Sequence, residues 1–444
     1  MKHLLLLFVF IFSINITIAQ QWWAEQTSGV STALTSVSVA DGSGNNVWIC
    51  GYSGVVLRTT NRGTNWISVG ANGIPNTTQL INICAIDGNT AIVSGYLSTN
   101  TWAWKTTNAG ANWTQVFAQT GGFVDGVVFR PGSTTECVLI GDPVGSRWAI
   151  FRSTNAGSTW DSTGCFLPQN GTEGGYNNSL YWSRFNGAMG DSGLWFGTNN
   201  YRIYHSVDRG LTWRVQPTLA EQNSYALGFM FGTGQVGGAN LYRSIDFGFS
   251  WTLISGTLGT GNFGGVVGFG NIVDNVLFQG LTWYVRTDTK IYRGSSYGGF
   301  AVEYTAPAGN YRYIATHDYG GPIWAVRADG GISACVACNV SGVSPLSSEA
   351  PTKFSLGQNY PNPFNPVTTF EFSVPTRNYV KICVYSSIGQ LVEVISDGVM
   401  NAGSYGVNWN ASKLSSGVYY YSLIAKDEVT SKTFTETKKM VLVK

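Results

Sequence analysis

After an almost wholly apolar run from Leu4 to Ala19, no hydrophobic stretch in the chain is sustained for long. Short apolar and aromatic segments, such as Val55-Val56-Leu57 and Ile203-Tyr204, are separated by clusters of Gly, Asn, Asp, Ser and Thr. Segments of that length, bounded by turn residues, predict strands rather than helices. Near the C-terminus the alternation is strict. Val380, Ile382 and Val384 fall on one side of an extended chain, and Lys381, Cys383 and Tyr385 on the other. Val418, Tyr420 and Ser422 alternate in the same way with Tyr419, Tyr421 and Leu423.

The turns themselves recur. Five segments, TTNRGTNW (59–66), TTNAGANW (106–113), STNAGSTW (153–160), SVDRGLTW (206–213) and SIDFGFSW (244–251), share one pattern. It runs Ser/Thr, any residue, Asp/Asn, any residue, Gly, any residue, Thr/Ser/Asn, Trp. The glycines Gly63, Gly110, Gly157, Gly210 and Gly248 lie 47, 47, 53 and 38 residues apart, and a degenerate copy, IYRGSSYGGF, places Gly298 another 50 on. Each copy, here called a box, sits between two short apolar runs, which predicts a hairpin. Glycine supplies a positive φ without steric cost. Asn61, Asn108, Asn155, Asp208 and Asp246 are placed to accept backbone N–H groups in the turn. Trp66, Trp113, Trp160, Trp213 and Trp251 are expected to bury their indoles against the adjacent sheet. Four strands in about 47 residues is the size of a propeller blade.

The boxes resemble the Asp-box, or BNR, repeat of sialidase-type β-propellers. The longer phrase Trp48-Ile49-Cys50-Gly51-Tyr52-Ser53-Gly54, continuing through Leu57-Arg58 to Trp66, resembles the photosystem II assembly/stability factor-like branch of that superfamily. Gly141-Asp142-Pro143-Val144 followed by Phe151-Arg152-Ser153 is a variant of it. The resemblance covers roughly residues 21–336. It implies an all-β, seven-bladed β-propeller, with six blades as the alternative. Blades one to five carry a box, the sixth carries the degenerate copy, and a seventh, from Tyr311 through Gly330, carries none. Gln21–Gln26 is expected to supply the missing outer strand of the last blade and so close the ring.

Residues 337–352 read as a Ser/Pro-rich linker. From 353 to 444 some seven short strands, with turns at Ile388-Gly389, Asp397-Gly398 and Ser416-Gly417, suggest a small immunoglobulin-like β-sandwich. This segment resembles the type A C-terminal sorting domain of the bacterial type IX secretion system in four motifs, in order. They are Gly357-Gln358 leading into Asn359-Tyr360-Pro361-Asn362-Pro363-Phe364-Asn365-Pro366, then Val384-Tyr385-Ser386-Ser387-Ile388-Gly389, Ser415-Ser416-Gly417-Val418-Tyr419, and Lys438-Lys439-Met440-Val441-Leu442-Val443-Lys444. The resemblance implies a Gram-negative cell, the type IX machinery as partner, and surface attachment or release after crossing the outer membrane.

The N-terminal run now has a meaning. A basic Met1-Lys2-His3, the apolar residues to Ala19, and Gln20-Gln21 directly after read as a signal peptide over 1–19. No later segment is apolar enough to cross a bilayer, so the mature protein is expected to be soluble and exported via the periplasm. Charged residues make up 11% of the chain and the formal net charge is +2, which gives no electrostatic case for nucleic acid. Seven cysteines leave an odd thiol, and Cys335-Val-Ala-Cys338 reads as a local disulfide or as buried thiols.

The chemistry offered is sparse. No phosphate loop, catalytic triad pattern, metal cluster or nucleotide fingerprint appears, so no cofactor or metal is expected. The arginine signature of sialidases is missing. Two carboxylates in Gly-rich stretches, Asp142 and Glu173, are the candidate acid/base pair for a glycoside hydrolase. Tyr176, Tyr181, Trp182 and Trp195, in the irregular stretch 167–200, are the candidate ligand-binding aromatics. The reading favoured on balance is an exported, non-enzymatic β-propeller that binds glycan or protein, with a glycoside hydrolase or an assembly factor for an exported complex as alternatives.

Overall fold

The computed structural model describes residues 23–41, 43–182, 193–216, 225–230, 233–237, 240–244, 248–255, 263–268, 272–273, 276–277, 281–295, 298–317, 322–335, 343–347, 351–376, 378–400, 402–411, 414–426 and 433–444. The expected leader, 1–19, lies outside them. Among the described residues every regular element is a strand.

Seven antiparallel sheets of three or four strands follow one another up to Cys335, with a two-stranded ribbon, Ile272–Val273 and Val276–Leu277, between the first two strands of the sixth. Sheet one is Leu34–Val39, Val47–Gly51, Val56–Thr59 and Ile67–Ser68; sheet two is Gln79–Ala85, Ala91–Leu97, Asn100–Thr106 and Thr114–Thr120. Sheet three has Val124–Phe129, Cys137–Val144 and Arg147–Ser153; sheet four has Gly175–Trp182, Leu194–Thr198, Ile203–Ser206 and Arg214–Val215. Sheets five and six start at Tyr225–Met230 and Phe263–Gly268. Sheet seven has Tyr311–Ala315, Ile323–Arg327 and Ile332–Cys335, and its fourth strand is Ala24–Gln26 from the other end of the chain.

The first strands of successive sheets are neighbours, and Tyr311–Ala315 of the seventh returns to Leu34–Val39 of the first. The sheets therefore form a closed cycle, and the core is divided into slices between them. Sheets one and two share Trp48, Ile83, Val93 and Trp113; sheets seven and one share Ile49, Leu57, Trp324 and Val326. The closing strand is fastened firmly. Trp23 is fully buried. The Glu25 carboxylate accepts hydrogen bonds from Tyr304 (2.8 Å) and Ser333 (2.6 Å) and pairs with Arg327 at 2.7 Å.

Each sheet also carries the same irregularity. Between its first and second strands the register slips, leaving Thr35, Ile81, Asp125, residues 176–179, Leu227, Gly264 and Arg312 in turn outside the pairing. These are β-bulges, which bend the inner strand. The residue opposite the bulge is held by close backbone approach. A Cβ at Gly51 or Gly141 would collide with the carbonyl of Ala33 or Phe123, respectively, so glycine is required there.

After the ring come two further four-stranded sheets, one of Val343–Ser347, Gly403–Asn410, Val367–Val374 and Ser355–Leu356, the other of Leu391–Met400, Asn378–Ser386, Gly417–Lys426 and Thr433–Leu442. They face each other across a single apolar core that includes Phe370, Phe372, Ile382, Val407, Trp409, Leu423 and Met440. Val343–Ser347 falls inside the expected linker 337–352, yet it pairs along Gly403–Asn410. The boundary is therefore corrected: this unit includes residues 343–347. The Ser/Pro-rich composition hid a strand at the edge of its sheet, where proline is tolerated. Cys335 is disulfide-bonded, whereas Cys50, Cys84, Cys137, Cys165 and Cys383 are thiols. The C-x-x-C counterpart, Cys338, lies outside the described residues.

Candidate functional site

The boxes are joints between sheets. In the second, Thr106 Oγ1 accepts the Gly110 N–H (3.0 Å) and donates to Asn108 Oδ1 (3.0 Å), which in turn accepts the Asn112 N–H (3.0 Å). The first, third and fourth boxes repeat this with Thr59, Ser153 and Ser206, and Ser244 accepts from Gly248 in the fifth. Asp246 lies outside the described residues. The leading hydroxyl is as central as the Asp or Asn, which the sequence reading had not assigned. Ala109 and Gly110 take φ values of 62° and 83°, and the Ala109 N–H donates to the Asn89 carbonyl at 2.9 Å. The glycine then abuts the preceding sheet: a Cβ at Gly110 would overlap Val69, and one at Gly157 would overlap Ile92. Trp113 is buried, its indole donating to the Val69 carbonyl at 2.7 Å, and Trp66 donates to Gln26 of the closing strand at 2.9 Å. All of this is structural chemistry.

The candidate residues separate. Glu173 is 1% exposed and accepts from Trp148 Nε1 (3.1 Å), Tyr204 Oη (2.7 Å), the Asn170 N–H (2.9 Å) and Arg202 Nη1 (3.1 Å). Four donors hold its carboxylate in place and leave little freedom for proton transfer. Trp182 and Trp195 are core side chains, and Trp195 stacks on buried His205 at 3.6 Å. Burial, reinforced by the Arg214 charge, pushes the His205 imidazole down to about 3, so it stays neutral. Tyr181 packs partly buried in the same cluster. Tyr176 is half-buried on the bulge of sheet four. Residues 183–192 of this stretch lie outside the described residues. Among the described residues no group of three His, Cys, Asp or Glu side chains is placed to hold a metal ion.

Asp142 keeps different company. Its Oδ1 accepts the Gly175 N–H at 2.6 Å, and the bulge residue Asp125 places its Oδ2 against the α-carbon of the same glycine. Asp125 is 5% exposed, and its Oδ2 has no hydrogen-bond partner. Burial first, and the Asp142 charge second, raise the Asp125 carboxyl well above its usual range; burial raises Asp142 as well. No local sequence pattern marks this pair. The two residues are 17 apart and meet only because the bulge turns Asp125 towards the hairpin.

The pair lies on the edge of the ring that carries the hairpins after Gly51, Leu97 and Val144 and the segments entering each first strand. There Asp142 donates its N–H to the Phe123 carbonyl (2.8 Å), and Phe123 meets Tyr96 edge-on with centroids 4.8 Å apart. Phe123 and Leu97 are 38% and 42% exposed. The axis is bridged nearby. Asn178, on the sheet-four bulge at a φ of 61°, accepts from Ser36 Oγ (2.9 Å) and Asn82 Nδ2 (2.8 Å), and donates to the carbonyls of Thr35 and Ile81. One amide thus ties sheet four to sheets one and two.

In the C-terminal unit the sorting motif is folded onto the last strand. Asn359 is buried: its N–H donates to Tyr421 Oη (2.8 Å) and its Nδ2 to Thr368 Oγ1 (2.9 Å). Asn362 Oδ1 accepts from the Val441 N–H (2.9 Å), and Phe364, in the core, exchanges backbone hydrogen bonds with Val441 and Val443. Lys444 donates its N–H to Ser416 Oγ at 2.9 Å. Three of the four motifs therefore meet at one place. Tyr360, at 82%, is among the motif side chains left in solvent, as is Ile388.

Residues 358–437 match the family described as the secretion system C-terminal sorting domain. This unit is a type IX sorting domain, and it marks the chain for secretion or attachment at the outer-membrane surface. No helix of the described residues is long and apolar enough to cross a membrane. The fold is similar to "YCF48 bound to D1 peptide", at 15% identity and a TM-score of 0.51 over 70% of this chain and 96% of that one. It is similar also to YCF48 from Cyanidioschyzon merolae, at 15% identity and a TM-score of 0.50 over 70% and 98%. Those likenesses show a β-propeller with the fold of the photosystem II assembly factor. The comparison with curated proteins finds no match.

Proposed function

We propose that this is an exported recognition protein. In this reading a leader over 1–19 is removed, a seven-bladed Asp-box propeller binds an extended segment of another exported protein, and a type A sorting sandwich from residue 343 delivers it through the type IX machinery. The observation that carries the binding reading is the hairpin edge, where exposed Phe123 and Leu97 adjoin half-buried Asp142 on a ring whose axis Asn178 bridges. That arrangement offers a surface for recognition rather than a cleft around a scissile bond. The solved YCF48 structure with its D1 peptide supports a peptide over a glycan as ligand class. The hydrolase reading is weakened by the four donors on Glu173, because an acid/base residue must exchange protons.

The test is to challenge the purified secreted chain with a library of extended peptides and with a glycan panel assayed for binding and hydrolysis. Peptide binding without glycan turnover is the expected result. Glycan hydrolysis abolished by Asp142→Asn would replace this reading with the hydrolase. Delivery is tested by deleting 343–444 and fractionating the cells; unchanged surface arrival would end the sorting claim.

A further inference from the structure

The two carboxyls at Gly175 have no counter-charge. Among the described residues neither Asp125 nor Asp142 forms an ion pair, and no basic group contributes to the electrostatics of either. Glu173, close by in sequence, has its carboxylate engaged by Arg202 and Tyr204. A buried acid without a hydrogen-bond partner for one oxygen is costly, and folded proteins retain such groups where something else completes them. Here the uncompleted oxygen, Asp125 Oδ2, and the carboxylate of half-buried Asp142 both face the Gly174-Gly175 backbone of sheet four.

We propose that Asp125 and Asp142 form a subsite for a cationic side chain, lysine or arginine, of the protein segment that this edge recognises. The proposal rests on the peptide-binding reading above and specifies its chemistry. Two carboxyls converging on one glycine supply the charge complement for an ammonium or guanidinium group. Asp142 makes the contact. Asp125 supplies the second negative charge once the incoming cation displaces the proton that burial keeps on the pair.

The test uses the full secreted chain and a set of capped Gly/Ser/Phe hexapeptides carrying one central Lys, Arg, norleucine or Glu, titrated by calorimetry in buffers of different ionisation heat. The Lys and Arg peptides should bind at least tenfold more tightly than the norleucine peptide and release close to one proton. Asp142→Asn should erase that preference. Asp125→Asn should abolish the proton release while leaving the fold intact by circular dichroism. Phe123→Ala should weaken all the peptides severalfold. Equal binding of the norleucine and Lys peptides would overturn the cationic subsite and leave the peptide reading standing. Absence of binding by every peptide would overturn both. Calcium binding that Asp142→Asn removes, with no preference among the peptides, would overturn the proposal in favour of a metal.

Discussion

In the ring, each of the first five sheets is joined to the one before it by a turn that lies within eight residues of sequence, whereas the C-terminal pair of sheets is fastened by residues about 80 positions apart. Thr106, Asn108 and Gly110 complete their own bonds and then press on Val69. Asn362 and Phe364 complete theirs only on Val441 and Val443. The first arrangement spreads its fastening over many small, repeated contacts. The second concentrates it at one seam. A repeated joint should tolerate the loss of one copy, and a single seam should not.

The sharpest way to break that contrast is at the two non-local closures. Trp23→Ala, where the ring closes on distant residues, should cost about 3–5 kcal/mol, as expected for truncating a buried aromatic. Phe364→Ala should cost the C-terminal unit a similar amount, about 3–5 kcal/mol. Chemical denaturation followed by tryptophan fluorescence checks both. A smaller effect is expected within one box. Thr106→Val leaves the Gly110 N–H without its acceptor and should cost about 1–3 kcal/mol, the ordinary penalty for an unsatisfied buried donor. If it matches Trp23→Ala, the joints are not redundant.

A subtler effect is one of pH. Burial raises the Asp125 carboxyl well above its ordinary value of 3.8, so the folded chain holds a proton that the unfolded chain releases. Its contribution is therefore most favourable at acid pH and declines as pH rises from about 4 through the folded value. Asp125→Asn should remove that decline, gaining on the wild type towards neutral pH in thermal melts. His205 acts in the opposite sense: held down to about 3, it costs stability as pH falls below about 6.5. Comparison of Asp125→Asn with wild type at each pH isolates the first effect from the second. The smallest change is expected at Tyr360, which is 82% exposed. Tyr360→Ala should stay within about 0.5 kcal/mol.

What could be read from the sequence follows the same division. The boxes were legible because their chemistry is local, and the aromatic Trp23 beside Glu25 marked the closing strand. The bulges were not, because Thr35, Ile81, Asp125, Leu227, Gly264 and Arg312 share no residue type, and what unites them is backbone register. Glu173 attracted attention as a carboxylate in a Gly-rich stretch, but Trp148, Arg202 and Tyr204, which engage it, come from strands whose register no local pattern fixes. The Asp125–Asp142 pair was hidden for the same reason, and Trp182 and Trp195 looked available only because their burial depends on neighbouring sheets.

The strand Ala24–Gln26 has a temporal consequence. It is synthesised early, but the edge it completes, Ile332–Cys335, is made some 300 residues later. Until then Trp23 has no slot to occupy, and the nascent edge stays open to any strand that drifts by. The ring can therefore finish assembling only once the whole length from Trp23 to Cys335 is free to fold together.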